Sequence, residues 1–113
     1  MADYSRCREV WVEAADSSAL LALINGDLGW LLYMREPGDP GFSSRNLGYS
    51  GLEEAMIKYR LNNGQVDEYP ASWAYPTAMI ERALFFFRSN GKPPAFISWH
   101  NDSSDGTSCG VDA

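Results

Sequence analysis

The sequence predicts an α+β fold, a mostly antiparallel sheet of about five strands with two helices packed on one face. Three observations carry that expectation. Apolar residues alternate with polar ones along residues 8–14, 55–61 and 95–100, the period of a half-buried strand. Met79, Ile80, Ala83, Leu84 and Phe87 instead follow the spacing of one helical face. Asn63-Gly64 sits between two alternating runs, the strongest short hairpin signal. The 113 residues suit a single domain, assigned to residues 1–101, and the polar, acidic residues 102–113 read as a tail.

In chain order, Val10 and Val12 alternate with Glu9, Trp11 and Glu13 in a first strand. Asp16, Ser17 and Ser18 offer N-caps to a short helix over Ala19–Ile24, and Gly26 stands where a helix-ending glycine belongs. Residues 29–35 are apolar on both parities until Arg35, as in a central strand. Residues 37–54 hold two prolines, four glycines and three serines and are expected to form one irregular connection. Residues 55–61 and 65–69 then pair through a two-residue type I′ loop with both Asn63 and Gly64 at positive φ, which sets Leu61 opposite Val66 and Arg60 opposite Asp67. Pro76 opens a second helix, which Asn90-Gly91 and Lys92-Pro93-Pro94 end. Ala95, Ile97 and Trp99 alternate with Phe96, Ser98 and His100 in a last strand.

Fifteen acidic against nine basic side chains give a net charge of −6. This argues against nucleic acid as a direct ligand, because phosphate binding needs clustered Lys and Arg. It favours a basic partner, or serves solubility alone. Met1–Arg6 carries no apolar segment and the longest apolar run, Ala19–Ile24, is six residues, so the expectation is a cytoplasmic protein that does not cross a membrane. In that compartment Cys7 and Cys109 read as free thiols.

Groups for catalysis are sparse. His100 lies beside Asp102 and could be joined by Cys7, Cys109 or a serine, but its position is that of an ordinary outward strand residue. His100, Asp102 and Asp105 are a weak basis for a metal site. Asp67 and Glu68 are strand neighbours that point to opposite faces and cannot share a proton. No phosphate-binding Gly-Lys-Ser or Gly-Lys-Thr occurs. No catalytic residue, cofactor or metal is therefore expected.

The residues that suggest function suggest binding. The long connection offers Phe42 and Tyr49 as aromatic anchors with Asp39, Arg45, Glu53 and Glu54 around them. Phe42 suits a core position equally well. Asp67 joins this set from the hairpin. Trp73 comes from the turn before the second helix, where a core role is favoured, and Phe85 stands off the main helical stripe as either a wider core face or an exposed aromatic.

The order of hairpin (Tyr59-Arg60-Leu61-Asn62-Asn63-Gly64), Glu68-Tyr69-Pro70 turn, Pro76 helix, Lys92-Pro93-Pro94 break and apolar strand ending in Trp99 resembles the first numbered immunity-protein family of bacterial polymorphic toxin systems, over about residues 8–101. The resemblance implies a small cytoplasmic protein that binds and neutralises a cognate toxin domain, basic and often a nucleic-acid deaminase or a nuclease, and it brings no catalytic residue. The alternative is a small ligand-binding module or an enzyme using His100.

Overall fold

Ala19–Ile24 has the composition of a helix and folds as a strand. In the computed structural model, which describes residues 4–103, β1 (Cys7–Glu13) and β2 (Ala19–Asn25) are antiparallel neighbours. Every residue from Ala19 to Ile24 is buried. Alanine and leucine favour helix in isolation, but a strand covered on both faces also reads as an unbroken apolar run. The proposed N-caps close a strand-to-strand turn instead: the Asp16 carboxylate accepts the Ser18 N–H at 3.0 Å and the Ser18 hydroxyl at 2.6 Å, and Ser17 takes φ 73°. The fold is α+β with a mostly antiparallel sheet as expected, but the described residues hold one α-helix, not two.

β3 (Leu28–Met34) lies beside β2, β4 (Phe42–Arg45) beside β3, and β8 (Ser98–Asn101) on the far edge, giving the order β1-β2-β3-β4-β8 with every pair antiparallel. The two-residue β7 (Tyr75–Pro76) pairs with the start of β3. β4 falls inside the stretch expected to be irregular. Its Phe-Ser-Ser-Arg sequence has no apolar period, yet Ser43 and Ser44 are buried. The Ser44 hydroxyl accepts the Leu31 N–H at 3.1 Å and donates to the Trp73 carbonyl at 2.9 Å, which satisfies a polar group the interior would otherwise penalise.

β5 (Met56–Arg60) and β6 (Val66–Pro70) form a separate two-stranded ribbon, in which Ile57 opposes Tyr69 and Tyr59 opposes Asp67. This register is one residue away from the expected pairing. Gly64 N–H donates to the Leu61 carbonyl and Leu61 N–H to the Gln65 carbonyl, so the loop has three residues, Asn62–Gly64, and only Gly64, at φ 89°, is left-handed. The shift sets Ile57 across from Tyr69 on the inward face, where the expected register would have put Pro70.

The ribbon and α1 (Thr77–Asn90) cover opposite faces of the sheet. Leu20, Ala22, Ile24, Leu31 and Tyr33 meet Ile80, Ala83, Leu84 and Phe87 of the helix. Leu21, Leu23 and Trp30 meet Tyr59, with Ile57, Leu61 and Tyr69 packed around them. Gly29 permits the close approach of α1, since a Cβ there would lie 2.9 Å from Ile80. The helix starts after Pro76, where Thr77 donates from its N–H to the Asp27 carbonyl and from its hydroxyl to the Gly26 carbonyl, both at 2.8 Å. Gly91, at φ 69°, ends it by donating to the Phe87 carbonyl. No helix of the described residues is long and apolar enough to cross a membrane.

At the other end of the described chain, Asp102 N–H donates to the Gly41 carbonyl and Ser103 is bonded to Asn101, so the first two residues assigned to the tail are tied to the sheet. Asp105, Cys109 and the rest of the tail lie outside the described residues, and with them any pairing of Cys7 and Cys109; Cys7 itself is half-buried in β1. Because Gly64 alone carries the left-handed turn position, Gly64→Val should lower stability by about 1–2 kcal/mol. Thermal melting checks this, and an unchanged midpoint contradicts the turn assignment.

Candidate functional site

The end of β4 gathers the polar and aromatic groups that the ribbon and sheet leave at their border. Arg45 stands on the ribbon side of β4, with its guanidinium 3.6 Å from the centre of the Trp73 ring. It donates to the Ser43 hydroxyl at 2.7 Å and the Ser44 carbonyl at 2.9 Å, and it lies 3.8 Å from the Asp102 carboxylate. Burial pulls its pKa down against the pull of Asp102, without threatening the charge of a guanidinium. Trp73, in the 3-10 turn Ala71–Trp73, stacks on Tyr69 with ring centres 6.0 Å apart, and Tyr69 stacks on buried Trp30 at 4.3 Å. The series Trp30, Tyr69, Trp73, Arg45 thus runs from the core to the surface. Asp67 sits at its side, accepting the Tyr69 hydroxyl at 3.3 Å and the Gln65 amide at 2.6 Å. Burial first, then the charge of Asp67, raises the Tyr69 phenol above its ordinary pKa.

From Arg45 the chain enters the connection to β5, whose shape is set by hydrogen bonds. Asn46 donates from its N–H to the Ser72 carbonyl and from its side chain to the Ala74 carbonyl, each at 2.9 Å, and its carboxamide oxygen accepts the Gly48 N–H at 3.0 Å. The half-buried Tyr49 donates its hydroxyl to the Leu52 carbonyl at 2.8 Å, so it braces the loop from within. At the far end Ala71 N–H donates to the Ala55 carbonyl. The loop is held at both ends to the segment around Trp73, and it displays Leu47 at 83% and Leu52 at 72% exposure beside exposed Glu53 and Glu54.

The structure joins Arg45 to Trp73 and, through Tyr69, to Asp67, places Tyr49, Glu53 and Glu54 on the adjoining loop, and separates three others. Phe42 is 2% exposed and packs against Tyr33 in the helix-side core, so it is no surface anchor. Asp39, with 5% of its side chain exposed, is held by Arg35, which donates from its backbone N–H and Nε at 2.9 Å and from a terminal nitrogen at 3.0 Å. It closes the β3–β4 connection and is not part of a charged rim. Phe85 is 68% exposed on α1, across the sheet from the ribbon.

His100 is exposed on β8, with Nε2 3.7 Å from the Asp102 carboxylate. Ser43 lies opposite it in register, but that hydroxyl is buried and engaged by Arg45. Among the described residues no three His, Cys, Asp or Glu side chains cluster as metal ligands do. Sequence reasoning passed over Leu47 and Leu52. Leu47 stands between Asn46 and Gly48 and Leu52 between Gly51 and Glu53, and that isolation from any apolar period was the available signal.

No family model matches the chain, and neither a curated protein nor a solved structure matches it.

Two measurements separate framework from surface here. Phe42→Ala should cost about 3–5 kcal/mol of stability, read by denaturant unfolding, as for other large core truncations. The Arg35 hydrogen bonds lower the Asp39 carboxyl from 3.8 to about 2. A carboxyl that binds its proton less tightly when folded stabilises the protein fully above the unfolded pKa, and that stabilisation fades as pH falls toward the folded one. Stability should therefore drop between pH 4 and about pH 2, and Asp39→Asn should flatten this part of the profile.

Proposed function

We propose that this chain is an immunity protein that binds and neutralises a basic toxin domain in the cytoplasm, one directed at nucleic acid such as a cytosine deaminase. The observation that carries the reading is the Asn46–Ala55 loop. Two leucines stand exposed on a segment already fixed by hydrogen bonds, with Glu53 and Glu54 at their side. A preformed loop loses little conformational entropy on binding, and apolar anchors with a charged surround are what protein interfaces use. The net charge of −6 supports the choice of partner, since a domain that grips phosphates is basic and opposite potentials hasten encounter. The resemblance in element order to the immunity-protein family supplies the class of partner.

The direct test adds the purified protein to the toxin domain encoded beside its gene and follows deamination or cleavage of DNA and RNA. Equimolar protein should abolish the activity; full activity in its presence refutes the reading. In the same assay Leu47→Asp with Leu52→Asp should weaken binding about tenfold or more while the melting midpoint stays within a few degrees, because both residues are on the surface. Glu53→Gln with Glu54→Gln should act on the association rate and reduce its dependence on salt.

A further inference from the structure

A concave site lies at the other end of the sheet, where β1 and β3 finish and β2 begins. Glu13, Ala19 and Met34 stand side by side in register across these three strands, on the face the ribbon covers further along. Together with Trp11, the turn at Ala14 and Ser17, and the segment Glu36-Pro37-Gly38, they enclose a cleft of about 420 Å³. That volume falls within the range of about 300–1,000 Å³ usual for specific ligand sites and accommodates one long side chain.

The chemistry of the walls is one-sided. Glu13 and Glu36 bring two carboxylates, no lining residue is basic, and neither carboxylate has an ion-pair partner among the described residues. Trp11 is 48% exposed and is held in place: its indole N–H donates to Glu9, whose second oxygen accepts the Asn62 N–H at 2.9 Å. Elsewhere the chain sets its own arginines over aromatic rings, Arg35 on Phe42, Arg45 on Trp73 and Arg82 on Phe96. Trp11 is an indole of fixed orientation beside two unpaired carboxylates, and no cation of the described chain lies over it.

We propose that this cleft receives an arginine side chain of a protein partner. A planar guanidinium can lie flat on the indole while its N–H fork reaches the carboxylates, which a lysine ammonium cannot do at once. The site is separate from the Asn46–Ala55 loop, because antiparallel β4 leaves Arg45 at the opposite end of the sheet from Met34.

The test titrates the isotope-labelled chain with N-acetylarginine amide and with its lysine and citrulline counterparts, following the Trp11 indole N–H and the Ser17 and Gly38 amides by NMR. The arginine probe should shift these signals and saturate at millimolar concentration, citrulline should leave them in place, and lysine should bind more weakly. Glu13→Gln with Glu36→Gln should weaken the arginine probe about tenfold at an unchanged melting midpoint. Equal shifts from citrulline, equal affinity for lysine, or undiminished affinity in the double variant each overturns the proposal. Saturation at micromolar arginine probe also overturns it, since the cleft is then a site for a free small cation. No partner protein takes part, so failure here is distinct from failure of the toxin-binding reading.

Discussion

The structure depends on one constraint, that β2 must be dry on both faces. A strand whose residues from Ala19 to Ile24 are all buried demands a cover on each side of the sheet, and a chain of 113 residues supplies two, the helix α1 and the β5-β6 ribbon. Each cover is amphipathic in its own period. The helix contributes Ile80, Ala83, Leu84 and Phe87 at helical spacing, and the ribbon contributes Ile57, Tyr59 and Tyr69 at alternating positions. The alternation of β2 sends Leu20, Ala22 and Ile24 to one layer and Leu21 and Leu23 to the other.

The polar cost of this arrangement falls mostly on the ribbon side. Tyr59 is buried there with its hydroxyl, and Trp30 with its indole N–H, and neither finds a hydrogen-bond partner among the described residues. Burial accordingly pushes the Tyr59 phenol above its ordinary pKa. The same layer recovers favourable interactions through its rings, from Trp30 through Tyr69 and Trp73 to Arg45. That series joins the buried layer to the loop that displays Leu47 and Leu52, because Asn46 and Ala55 are bonded to the segment that holds Trp73. The loop therefore inherits its rigidity from the core.

The ribbon is also shorter than the sheet it covers. Over the middle of β2 and β3 it excludes water; beyond them the register row of Glu13, Ala19 and Met34 stays open and becomes the floor of a cleft. A single geometric mismatch thus produces the concave acidic site, while the connection from β4 to the ribbon produces the convex one.

Much of this was legible in the residues. Helix α1 carries its own start and stop in Pro76 and Gly91 together with an apolar stripe, and the β5-β6 hairpin carries alternation and a turn glycine. These are local signals, satisfied by neighbours along the chain. Ala19–Ile24 and Phe42–Arg45 were not legible, the first because its helix-forming residues are overruled by burial on two faces, the second because buried serines acquire their partners from Leu31 and Trp73, remote in sequence. The hairpin register turned on one extra loop residue, and the inward pairing of Ile57 with Tyr69 decided it. The sites divide in the same way. Composition and charge alone determined that the chain is acidic, poor in catalytic groups and rich in aromatics. Only the tertiary structure decided that Phe42 is core, that Asp39 is locked by Arg35, and that Leu47, Leu52 and Trp11 are exposed, because exposure depends on what the rest of the chain leaves uncovered.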